Sequence, residues 1–120
     1  MIHRSEFIRL LKQNLPEAIP FLQGNRLNLT LEMHAFQEFA QAAVESGNRG
    51  LVSRAFSFAD QLWREGNRSV RSSLAVSFLE HLTFDSAAGV EAYKLLPEEL
   101  KQVRREAIAS LNQASTMRRS

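Results

Sequence analysis

The chain has 120 residues, 44% of them hydrophobic, with eight Phe, a formal net charge of +2 and no cysteine. That length and apolar content suit one globular domain with a core that needs no covalent staples. They leave out a disulfide framework, a thiolate metal site and a thiol nucleophile, and no apolar run approaches the roughly 18 residues that a bilayer span requires.

The first predicted helix covers about Ser5 to Leu15, with Ser5 as its N-cap and Phe7, Ile8, Leu10, Leu11 and Leu15 on one face. Pro16 ends or kinks it, because its ring removes a backbone donor and disfavours helix at the preceding residue. PEAIPFLQG reads as a short helical turn stopped by Gly24, and NRLNLT as a loop ending in Thr30, the expected N-cap of a helix through Glu45. On that helix Met33, Phe36, Phe39, Ala40, Ala43 and Val44 form the apolar arc. The next helix, about Leu51 to Glu65, puts Leu51, Val52, Ala55, Phe56, Phe58, Ala59, Leu62 and Trp63 on one side. A fourth, about Ser69 to Leu82, carries Val70, Leu74, Ala75, Val76, Phe78, Leu79 and Leu82 round roughly 240° of its circumference, which predicts deep burial. After TFDSAAG a short helix runs to Leu96. Pro97 then opens a last helix with Glu98 and Glu99 at its positive dipole end, ending in a polar STMRRS tail. Strict alternation of the kind strands show is absent from these windows.

These elements predict an all-α domain over residues 1–116, with residues 117–120 a flexible tail. Five to six helices are expected, arranged as antiparallel hairpins around a central buried helix at 69–82. The triplet GNR occurs at 24–26, 47–49 and 66–68, each time after an apolar-periodic segment. Glycine closes a helix in the left-handed conformation and Asn suits caps and tight turns, so GNR is read as punctuation between helices. The alternative is a shared site built from Arg26, Arg49 and Arg68.

The charge pattern and the polar residues bound the chemistry. Residues 31–46 hold Glu32, Glu38 and Glu45 without a Lys or Arg, and residues 47–72 hold five Arg against Asp60 and Glu65. His34, Glu38 and Glu45 share a stripe that faces away from the apolar arc and lacks the second His of a helical zinc site, so no metal is expected. SVRSSLAVSFLEHL supplies serines and a His without a nucleophile elbow, and no phosphate-binding glycine loop is present. No catalytic residue and no cofactor are therefore expected. On the fourth helix Ser69, Ser73, Ser77 and Glu80 make a narrow polar stripe. Arg104 lies within the apolar arc of the last helix, which invites a buried Glu80–Arg104 ion pair, an internal staple or a pocket with Ser73 and Ser77 around it. Two surfaces are candidates for a partner: the His34–Glu38–Glu45 stripe, and the basic face of Arg49, Arg54, Arg64, Arg68 and Arg71. Their opposite signs also suit a homodimer. Asp60 and Arg64, four apart, read as an ordinary surface pair.

SVRSSLAVSFLEHL followed by YKLLPEEL resembles a family of small bacterial all-helical domains of unknown function, over about residues 51–105. That resemblance implies a helical domain with a recurring Glu at position 80 and, in its sharpest form, a toxin-neutralising immunity protein. The expectation is a cytoplasmic, non-catalytic protein-interaction module with no membrane contact. Its rival is a nucleic-acid binder using the Arg-rich segment 47–72, which salt-dependent binding would reveal.

Overall fold

Seven α-helices make up the fold, as the computed structural model shows for the residues it describes, 1–22 and 28–119, with side chains described as far as Leu111. They are α1 (Arg4–Asn14), α2 (Ile19–Leu22), α3 (Leu29–Glu45), α4 (Arg49–Glu65), α5 (Arg68–Ser73), α6 (Ala87–Tyr93) and α7 (Glu98–Arg119). A 3₁₀ turn at Pro16–Ala18 leads into α2, and a π-helical turn at Leu74–Leu79 continues α5. Among the described residues there is no β-sheet; one isolated bridge joins Ile2 to Gly66. The GNR copy at 24–26 lies outside the described residues.

The helix starts follow the asparagines. The side chains of Asn28, Asn48 and Asn67 accept from the backbone N–H of Leu31, Leu51 and Val70 at 2.9, 3.1 and 2.9 Å, each satisfying one of the donors a helix start leaves free. Asn28 therefore caps α3 in place of the expected Thr30, which lies inside the first turn. Ser5 does not cap α1 either: the N-cap is His3, and the Ser5 hydroxyl meets its Nδ1 at 2.9 Å. Capping by Asn48 starts α4 two residues earlier than the apolar pattern suggested.

The two GNR glycines differ in what they do. Gly47 has φ +71° and closes α3, with its own N–H reaching the Val44 carbonyl and the Asn48 N–H reaching that of Ala43. That pairing is the Schellman arrangement, which needs the left-handed residue. Gly66 is extended, at φ −70° and ψ 150°, so the left-handed expectation fails there. A Cβ at Gly66 would collide with the Leu62 carbonyl and come within 2.9 Å of Val70 Cγ1. Close approach of the chain's own Leu62 and Val70, not handedness, requires glycine here; the N-terminal segment docks beside it, with Ile2 N–H donating to the Glu65 carbonyl and the Ile2 carbonyl accepting from Asn67.

Burial follows the expected arcs closely on α1, α3 and α4. Phe7, Phe36, Phe58 and Phe78 form one aromatic cluster, with Phe36 stacked on Phe78 at 4.4 Å between ring centroids and set edge-on to Phe58 at 5.6 Å. Helix α3 packs against α2, α4, α5, α6 and the π turn, and α7 packs on the π turn.

The departure lies between Leu74 and Leu79. Here the Glu80 N–H reaches back five residues to the Ala75 carbonyl, the bonding of a π-helix. The wider turn brings Leu74, Phe78 and Leu79 onto one narrow buried arc. Val76 lies on the outside, 55% exposed, and Ser77 is buried at 7%; helical spacing alone already sets Val76 opposite Leu74 and Ser77 within about 60° of it. Val76, at the edge of the expected arc, is thus not a core residue, while Val70, Leu74, Phe78, Leu79 and Leu82 are buried and Ala75 packs on the core as that arc predicts.

Candidate functional site

The residues expected to make a buried ion pair do not meet. Glu80 is half-buried on the end of the π turn, and among the described residues it forms no ion pair. Arg104 reaches elsewhere: its Nη2 donates to the Leu82 carbonyl at 2.9 Å and its guanidinium lies 5.1 Å over the Phe84 ring. Its Nε is buried without a partner, as is the Ser73 hydroxyl.

The reason for the position of Arg104 is the helix end it serves. A helix leaves its last carbonyls without intrahelical donors, and no glycine closes the stretch after Glu80. Side chains supply the donors instead. Gln37 Nε2 donates to the His81 carbonyl at 3.3 Å, Arg104 to that of Leu82, and Gln41 Nε2 to that of Thr83 at 3.1 Å. Gln41 also accepts from the Thr83 N–H at 2.9 Å, so its amide grips one residue from both sides. This clamp explains why Gln37 is buried on an otherwise apolar face. Periodicity could not reveal it, since it depends on where the π turn ends.

The expected basic face is divided. Arg54 donates to both carboxylate oxygens of Glu17, at 2.7 and 3.2 Å, and to the Asn14 carbonyl. The hydrogen bond holds the Glu17 carboxyl below its ordinary range and raises the Arg54 guanidinium. Arg64 pairs with Asp60 at 3.0 Å, as the i,i+4 spacing predicts. Arg49 stands at the opposite end of α4 from Arg68, so GNR makes no shared arginine site from these two copies. The acidic stripe disperses too. His34 packs edge-on against His81 with ring centroids 5.2 Å apart, Glu45 accepts from Gln41, and Glu38 is exposed. Among the described residues no three His, Asp or Glu side chains are grouped to hold a metal ion. A buried carboxylate that the sequence did not single out, Glu32, is held by Arg4 Nε at 2.7 Å.

What the structure does assemble is an apolar strip on one side of the molecule. Two adjoining grooves share Trp63 and Ala75. One continues over Val76, Val103, Ala107 and Leu111 along the π turn and α7; the other continues to Met1 at the N-terminus. Val76 and Leu111 are 55% and 53% exposed. Trp63 is held rather than loose: its Nε1 donates to Glu99 at 2.8 Å, and the Arg71 guanidinium lies 4.5 Å over its ring. Arg68 and Arg71 line the N-terminal groove, Glu80 and Glu106 the other. Val44, Val52, Ala92 and Leu95, with Arg49 and Glu91, line a separate small notch of about 160 Å³.

Among the described residues no helix is long and apolar enough to cross a membrane. A family model described as a domain of unknown function, DUF7674, matches residues 8–111. No curated protein and no solved structure matches the chain.

Proposed function

The chain belongs to the DUF7674 family, and we propose that it is a non-catalytic protein-interaction module whose binding surface is the Trp63–Val76–Leu111 strip. One observation carries this reading: Val76 and Leu111, both more than half exposed, line one apolar groove together with the half-buried Trp63. Contiguous exposed apolar surface of this kind marks interaction sites, and a rigid, half-buried Trp beside an Arg is the usual composition of an energetic anchor.

The nucleic-acid reading draws less support. Arg54 and Arg64 are already engaged by Glu17 and Asp60, and the Trp63 face that a base would stack on carries Arg71. Affinity capture separates the two, using tagged wild type and Val76→Lys side by side with nuclease treatment. A stoichiometric protein that survives nuclease and is lost with Val76→Lys supports the proposal. Recovered nucleic acid that dissociates as salt rises contradicts it.

A further inference from the structure

The strip carries its charges at opposite ends. Arg68 and Arg71 line the groove on the N-terminal side of Trp63 and Ala75, with no acidic residue in that lining. Glu80 and Glu106 line the groove on the other side, with no Lys or Arg among its residues. Among the described residues none of the four is in an ion pair: Arg71 lies on the Trp63 ring, and Glu106 accepts from the neutral amide of Gln102. Along the helix Arg71 and Glu80 stand roughly 13 Å apart at helical rise, on either side of the shared apolar centre.

From this arrangement, and resting on the reading of the strip as a binding surface, we infer that its occupant is a second copy of this chain, bound about a two-fold axis through the Trp63–Ala75 centre. An isologous interface places the same patch on both subunits, so each point meets its image across the axis. A patch with cations at one end and carboxylates at the other is its own complement under that operation. Arg68 and Arg71 of each protomer come to face Glu80 and Glu106 of the partner, twice per dimer. Val76 and Leu111 lose their exposure to water against the partner strip. Paired charges at the rim fix register and orientation, while the apolar centre supplies the affinity.

Sedimentation equilibrium of the purified chain, from micromolar to millimolar concentration, tests this. The expected result is a concentration-dependent approach to twice the 13.6 kDa chain mass, with Trp63 emission shifting over the same range. Glu80→Arg and Arg71→Glu each juxtapose like charges and weaken the dimer on the order of tenfold. The double variant reverses both ends and restores the dimer to within a few fold of wild type. Val76→Lys and Leu111→Lys, at exposed positions, abolish it without loss of helical content. A chain that stays at its monomer mass throughout overturns the self-pairing, as does a double variant no tighter than the singles. A monomer whose Val76→Lys variant also loses a captured partner leaves the surface itself standing. A dimer that survives both lysine substitutions overturns the surface together with the pairing.

Discussion

Asn48 closes α3 with its N–H and opens α4 with its side chain, so at this junction Gly47 supplies the left-handed residue and Asn48 the cap, the roles expected of GNR. Because Asn28 and not Thr30 caps α3, Asn28→Ala should cost about 1 kcal/mol, whereas Thr30→Ala should stay within about 0.5. Thermal denaturation of the two variants decides between the caps. The Glu17–Arg54 contact gives a second check at this scale. The carboxyl of Glu17 is lowered chiefly by its hydrogen bond to Arg54, so its folded value lies below its unfolded one. The stabilisation is then present above the ordinary value of 4.5 and is lost as pH falls through the lower folded value. Both side chains are exposed, which keeps the effect small. The gap in melting temperature between wild type and Glu17→Gln should accordingly be present at neutral pH and vanish in acid.

At the scale of elements, the arcs on α1, α3 and α4 were legible because a regular helix converts spacing directly into direction. Phe7, Phe36, Phe56 and Leu62 all lie where that conversion puts them. The stretch after Ser73 was not legible, because LAVSFL reads equally well as α or π, and tertiary packing of Phe78 on Phe36 accompanies the π form. Val76 faces out and Ser77 in. Among the described residues Glu80 has no arginine to answer, and Arg104 serves the Leu82 carbonyl instead. Glu80→Gln should therefore leave stability within about 0.5 kcal/mol of wild type. Arg104→Met leaves a carbonyl short of its donor and should cost about 1–3 kcal/mol. Chemical denaturation of both variants distinguishes this account from an internal Glu80–Arg104 staple, which requires both losses to be large.

For the whole molecule, the all-α class followed from periodicity alone, while the surface with functional meaning did not. The strip draws on Trp63 from α4, Val76 from the π turn and Leu111 from α7, and local pattern assigns Trp63 and Val76 to a core. Only the assembled packing shows that they sit together and remain uncovered. The polar residues first considered for a partner proved to be scattered: Arg54 answers Glu17, Arg64 answers Asp60, and His34 packs on His81. Arg68 and Arg71 alone among them border the strip. The account as a whole turns on the direction in which the π turn points Val76 and Ser77. The most direct measurement compares Val76→Lys with Ser77→Lys by circular dichroism and sedimentation velocity. Val76→Lys should fold and melt as wild type does but fail to associate, while Ser77→Lys, forced to bury a charge, should lose its cooperative melt. If Val76→Lys unfolds the chain, or folds and associates unchanged, the strip is not the binding surface.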